Sequence, residues 1–212
     1  MSLPEATAPP RRSYAKSAAI RQRVLDACIE EFGQAGFYGA TMKDIAARAG
    51  MSHTSLLHHF RTKESLLVAV LQYRDDRSTA VFQAALERLG DAPENTVRSM
   101  LAAVVANELE PGLAALHASL SAEATTPAHP AHDYFRQRYQ VFRSYYEERF
   151  EEMAASGKLD TTMSPRALAF TFVAILDGLE LQWLYEQDDF RMEEVFEEFL
   201  TSITRPGPSA PH

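Results

Sequence analysis

The sequence predicts an all-α protein: a small N-terminal three-helix domain carrying a helix-turn-helix, followed by a larger C-terminal helical domain. Three observations carry this. Apolar residues recur at three- and four-residue steps along nearly the whole chain between its proline-bearing ends. No run of alternating apolar and polar residues is bounded by turn signals, so strands are not expected. Charge is uneven: residues 1–67 hold nine Lys/Arg against six Asp/Glu, whereas the remaining 145 residues hold twelve against twenty-three. Within a chain of net charge −8, only the first third is suited to facing a polyanion.

Composition narrows the class further. With 46% hydrophobic and 24% charged residues the chain can bury a core. Cys28 is the single cysteine, which excludes an intrachain disulfide and a multi-cysteine metal site and suggests a buried structural thiol. No apolar run approaches the roughly 18–20 residues needed to cross a bilayer, and the N-terminus lacks the apolar block of a signal peptide. A cytoplasmic protein without membrane association is therefore expected. Residues 1–15 read as a flexible arm, 16–62 as the helix-turn-helix domain, 63–205 as the larger helical domain and 206–212 as a disordered tail.

Helix by helix, the pattern is specific. Ile20, Val24, Ala27, Cys28 and Phe32 give the first helix one apolar face over about Ser17–Gln34, and Gly36 is a natural left-handed stop. Thr41 can cap a second helix, with Asp44 three residues on in a capping-box-like arrangement. Gly50 breaks that helix, Ser52 is placed to cap a third, and Thr62 to cap a fourth that begins "KESLLVAVLQY". Further apolar-periodic segments cover roughly 94–108, 112–123, 130–155, 165–186 and 191–203.

The stretch "GMSHTSLLHHF", Gly50–Phe60, decides the reading of the first domain. Two short helices joined by a glycine-containing turn form a helix-turn-helix. Leu56 and Phe60, four apart, are the expected buried anchors of the third helix. Ser52, His53, Thr54, Ser55, His58 and His59 are then left off the core, on a helix that fits a DNA major groove. Lys63 and Thr41, at helix starts, are placed for phosphates.

The run "RVLDACIEEFGQAGFYGATMKDIAARAGMSHTSLLHHFRTKESLL", residues 23–67, resembles the DNA-binding region of the tetracycline-repressor (TetR) family. The likeness rests on "F-x3-GF", "T-x2-DIA-x-RAG-x-S" and "L-x2-HF-x-x-K-x-x-LL" at ungapped spacing. It implies a homodimeric transcriptional regulator, usually a repressor, released from an inverted-repeat operator in double-stranded DNA by a small effector. Thr54 stands where that family often has glycine, and Leu57 where a tyrosine usually reaches a phosphate. The candidate DNA-contacting residues are Thr41, Lys43, Ser52, His53, Thr54, Ser55, Leu57, His58, His59 and Lys63, with His53, Thr54 and His58 carrying base readout.

In the larger domain, the apolar face of "MEEVFEEFLTSI" and the nearly all-round apolar "RALAFTFVAILDGLELQWLYEQ" suggest burial on more than one side. Gly178 inside the latter suggests close approach of another helix. By resemblance the last two helices form the dimer interface, with Ala174, Gly178, Leu181, Val195, Phe196, Phe199 and Leu200 as its candidates. Effector-pocket candidates are Met100, Val104, His117, Leu120, Phe135, Tyr139, Phe142, Phe172, Ile175 and Leu176, which suggest a mainly apolar effector, with His117 and Tyr139 as polar handles.

Other chemistries find little support. The histidines of the third helix do not share a face suited to a metal, and His129 and His132 read as turn and cap residues. There is no Glu-x-x-His pair, phosphate-cradling glycine loop or G-x-S-x-G, so no enzyme, metal or cofactor is expected. The alternative reading is a helical protein- or non-specific DNA-binding module without small-molecule induction.

Overall fold

A computed structural model describes residues 11–187 and 190–205. Among the described residues there are nine α-helices: α1 Arg11–Gly39, α2 Met42–Arg48, α3 His53–His59, α4 Lys63–Leu89, α5 Pro93–Glu108, α6 Pro111–Glu123, α7 His132–Ala155, α8 Pro165–Tyr185 and α9 Met192–Ile203. Their only extended pairing is an isolated antiparallel bridge between Leu159 and Thr204. The chain divides into two compact units, one up to Val70 and one from Leu71. That division falls inside α4, later than the expected break at residues 62 and 63.

The first unit is built around the predicted apolar face of α1. Val24, Cys28 and Phe32 are fully buried, together with Ile45 of α2, Leu56 of α3 and Leu66 and Val70 of α4. Burial pushes the Cys28 thiol up to about 12, so it is an inert apolar group at neutral pH. Helix α1 exceeds its predicted span at its start and breaks at the predicted stop, Gly36. It starts at Arg11, within the stretch read as an arm, and its register breaks at Gly36 (φ 66°, ψ 176°) before a last turn to Gly39. Residues 1–10 of that arm and the tail 206–212 lie outside the described residues, as do the side chains of residues 11–16.

The second unit is a helical bundle in which α7 lies along α8, α5 packs on α7 and α9, and α6 on α8. Its centre is aromatic: Phe172 sits 4.4 Å from Tyr146, 5.9 Å from Phe150 and 5.3 Å from Phe196, ring centre to ring centre. Helix α8 corrects the sequence-based expectation about apolar length. It is long and apolar enough to cross a membrane by length and composition. Its buried side chains, Leu168, Phe172, Leu176, Glu180 and Trp183 among them, instead belong to the bundle core.

Candidate functional site

The helix-turn-helix is assembled by local caps. Thr41 Oγ1 accepts from the Asp44 amide at 3.2 Å and donates to the Asp44 carboxylate at 2.5 Å, closing the start of α2. At its end the Gly50 amide donates to Ala47 and the Met51 amide to Ala46, a paired closure that places Gly50 at φ 66°. A side chain there would meet open space but would have to adopt a left-handed backbone. Ser52 Oγ then accepts from the Ser55 amide at 3.1 Å and starts α3. Thr62 and Ser65 cap α4 reciprocally, each amide donating to the other's hydroxyl.

These caps fix which face of α3 is presented. Leu56 and Phe60 point into the core, 0% and 7% exposed. Ser52, His53, Thr54, Leu57, His58 and His59 are exposed, and Ser55 is half-buried behind them. Thr41 and Lys43 of the α2 start are exposed as well. Leu57, 37% exposed, presents methyl groups and offers no hydroxyl.

Lys63 departs from its expected role. Its ammonium donates to the carbonyls of Phe37 at 2.7 Å and Ala40 at 2.9 Å, and lies 4.5 Å from the Phe37 ring centre. The lysine therefore ties α4 to the last turn of α1, which follows the Gly36 break. Arg48, which sequence reasoning passed over, makes a second tie: its guanidinium bonds Glu30 at 2.8 Å, Glu31 at 3.1 Å and Gln34 at 3.2 Å. Both ties join residues far apart in sequence, so spacing along one helix could not reveal them.

The second unit holds a cavity of about 590 Å³, within the size range of small-molecule sites. Of the expected pocket residues, Met100, Val104, His117, Tyr139, Phe142 and Leu176 line it. Leu120, Phe135 and Phe172 do not; they are buried in packing contacts, at 0%, 3% and 0% exposed. Ile175 is likewise packed against the core and faces no cavity. A helical periodicity marks a buried face without telling a packed wall from a hollow one.

The charges in the lining were not anticipated. Arg74 donates to both carboxylate oxygens of Glu180 at 3.2 and 3.0 Å, with both side chains buried. Arg138 pairs with Asp75, which also accepts from the Tyr134 hydroxyl at 2.6 Å. Tyr139 donates to Asp177. Burial raises the Asp177 carboxyl above its ordinary range, with the Tyr139 bond opposing. Burial and the nearby Arg74 and Arg138 charges hold His117 well below the usual histidine value, so its imidazole is neutral. A charged residue on an apolar helix stripe is the available sequence signal: Glu180, inside the apolar run of α8, was such a signal.

Other predicted positions sort cleanly. His129 Nδ1 accepts from the Ala131 amide at 3.1 Å and His132 Nδ1 lies 2.8 Å from the Ala124 carbonyl, so both serve the α6–α7 turn. Among the described residues no group of three His, Cys, Asp or Glu is arranged to hold a metal ion. On the expected dimer face, Ala174, Leu181 and Val195 are exposed, Gly178 and Phe199 half-buried. Phe196 and Leu200 are instead 0% and 2% exposed within their own bundle, because the Met192–Phe196–Leu200–Ile203 stripe of α9 is the one turned to the core. Within the chain no helix approaches Gly178 closely: a Cβ there would meet nothing within 4 Å among the described residues.

A capped helix-turn-helix in one unit and a cavity-bearing helical bundle in the other define a helix-turn-helix regulator with a separate ligand-binding-type domain. Known proteins agree. Residues 24–70 match the family model for bacterial regulatory proteins of the tetR family, and residues 93–205 that of the C-terminal domain of BetI-type transcriptional repressors. The chain belongs to the TetR family of transcriptional regulators, which are regulators and not enzymes. It is similar to the transcriptional regulator UidR of Escherichia coli, 26% identical over 175 residues, covering 80% of this chain and 86% of that one. Over 62 residues, 29% of each chain, it is 44% identical to the E. coli regulator RutR. Among solved structures, a TetR regulator from Chloroflexus aurantiacus superposes with a TM-score of 0.73 at 17% identity, covering 90% of this chain and 98% of that one. A regulator from Saccharomonospora viridis solved with choline does so with 0.69 at 20% identity, covering 89% and 100%.

Proposed function

We propose that this protein is a cytoplasmic repressor that binds an inverted-repeat operator as a homodimer and is released by a small molecule entering the cavity of its second unit. The observation that carries the reading is α3: a capped helix anchored by Leu56 and Phe60 with His53, Thr54, His58 and His59 exposed along its polar edge. Side chains of that kind read base edges in a major groove, and exposed groups at helix starts hold phosphates. His53, Thr54 and His58 take the readout, Thr41, Lys43, Ser52 and Ser55 the sugar–phosphate side, and Leu57 and His59 the rim. Lys63 acts behind this surface, by fixing α4 to α1. In a two-fold dimer, recognition helices about 34 Å apart meet successive major-groove faces of an inverted repeat.

The dimer face is assigned to the exposed stripe of α8, Phe170, Ala174, Gly178, Leu181 and Tyr185, with Val195 and Phe199 of α9. Phe170, Leu181 and Tyr185 are 46%, 48% and 83% exposed, a costly display unless a second copy covers them. Gly178 fits this assignment, since no intrachain neighbour explains it. Gly178→Ala tests it: on a free helix face the change stabilises by about 1 kcal/mol, whereas at a close dimer contact it weakens dimerisation, read by sedimentation. A monomer at micromolar concentration sinks the dimer, and a variant that is merely more stable removes Gly178 from its interface.

Operator recognition is tested by binding selection on random duplexes with the full-length protein. An enriched inverted repeat is expected, and His53→Ala with Thr54→Ala should erase the preference for it over scrambled sequence. Salt-sensitive binding with no enriched sequence would instead favour a non-specific DNA-binding module. Effector and DNA must weaken each other by the same factor, which competition titrations measure directly.

A further inference from the structure

Three residues of the cavity wall carry a buried polar atom without a hydrogen-bond partner among the described residues: Arg74 Nε, His117 Nε2 and the Tyr146 hydroxyl. The residues themselves are only 4%, 6% and 1% exposed. Folded chains leave few buried polar groups unpaired, and three on the wall of one cavity is a concentration that calls for an occupant. We propose that the cavity takes a neutral molecule with an aromatic or alicyclic body and a carbonyl-type oxygen, as in a ketone, amide or ester, which accepts from these groups. This rests on the reading of the cavity as the effector site and gives that effector a chemical class.

The donor inventory points to an acceptor. Arg74 Nε carries one hydrogen and no lone pair, so only an acceptor can satisfy it. One of its two terminal nitrogens, Nη2, donates to both oxygens of Glu180. The Tyr146 hydroxyl can donate, and the neutral His117 imidazole donates in its Nε2–H tautomer.

The charges argue against an ionic ligand of either sign. Both guanidiniums are already paired, Arg74 with Glu180 and Arg138 with Asp75, so an anion would find no uncommitted cation and would face three carboxyl groups. A quaternary ammonium needs open aromatic faces. Here two of the lining rings already carry a guanidinium, Arg138 lying 4.5 Å from the Phe142 ring centre and Arg149 5.5 Å from that of Tyr145. Such a cation would also leave the Arg74 donor unpaired. The remaining lining, Met100, Val104, Val173 and Leu176, suits a hydrocarbon body.

Three probes with one hydrocarbon body test the class: 2-acetylnaphthalene, 2-naphthoate and N,N,N-trimethyl-2-naphthylammonium, titrated calorimetrically into the full-length protein. The ketone should bind at least about tenfold more tightly than either ion. Tyr146→Phe should weaken ketone binding by about three- to tenfold while leaving the melting temperature unchanged or higher, because the deleted hydroxyl had no protein partner. Equal or tighter binding of either ion, no binding of the ketone, or an unchanged ketone affinity in Tyr146→Phe overturns the proposal. Operator release, followed separately by fluorescence anisotropy, distinguishes the two readings. An ion that binds and releases DNA preserves the effector site and overturns its assigned chemistry. A ketone that binds as expected without releasing DNA preserves the chemistry and overturns the effector role.

Discussion

The helix-turn-helix and the cavity are held together in opposite ways. Around α2 and α3 most of the defining bonds close within three to five residues: Thr41 to Asp44, Ser52 to Ser55, Met51 to Ala46. Around the cavity they close over long separations: Arg74 to Glu180, Asp75 to Arg138 and Tyr134. The first region leaves its polar groups exposed; the second buries most of its own and pairs most of those internally. Local bonds make a surface whose chemistry can vary without endangering the fold. Long-range buried pairs make a wall in which each charge depends on another.

The largest expected effect follows from that dependence. Arg74→Ala removes the buried cation that both Glu180 carboxylate oxygens accept from and should cost about 3–5 kcal/mol in denaturant unfolding, whereas replacing both by apolar residues of similar volume should recover most of it. If Arg74→Ala proves as mild as an exposed substitution, the cavity wall is not held as described. In the first unit the largest local effect belongs to Gly50. Gly50→Ala forces a left-handed backbone on a side chain at about 1–2 kcal/mol and should weaken operator binding with it, since α3 is set by that turn. A variant with unchanged stability would show that the turn can re-form by another route.

A pH titration gives a more graded contrast. The folded pKa of His117 lies below its unfolded value, so the unfolded chain binds the extra proton first. Stability is full above about pH 6.5 and falls as pH is lowered below it, by at most about 1.4 kcal/mol per pH unit for one such group. His129, also depressed, chiefly by burial, adds in the same direction. Comparing His117→Phe with wild type at pH 7.5 and 5.5 isolates the His117 share, and parallel losses in the two proteins would remove it. Smallest is the loss of one cap: Ser52→Ala should lower stability by about 1 kcal/mol, measured by thermal unfolding, without altering the pH dependence.

What was legible in the sequence follows the range of the bonds. The helices α2, α3 and α5 to α9 fall within a few residues of their predicted spans, because periodicity and caps are properties of neighbouring residues. The exposed edge of α3 could be read for the same reason: once Leu56 and Phe60 are assigned to the core, the 3.6-residue repeat places His53, Thr54 and His58 outside. Helix α1 breaks at Gly36, the expected left-handed stop, but starts at Arg11, ahead of the first residue of the periodic apolar face that marks a helix in the sequence. The structural tie made by Lys63 is not legible in the sequence, because its partners, the Phe37 and Ala40 carbonyls, stand a whole helix-turn-helix away.

The sequence by itself determined an all-α chain, the helix-turn-helix with its capped third helix, and the family to which both belong. Only the tertiary structure decided that Leu120, Phe135, Phe172 and Ile175 are packing while Met100, Val104 and Leu176 face a cavity. It also decided that Phe196 and Leu200 serve their own bundle, and that Arg74, Asp75, Arg138 and Glu180 meet at one wall. The physical reason is that a cap or a periodic face is fixed by a few consecutive residues. A cavity exists only where helices distant in sequence fail to fill the space between them, and no single helix records that space.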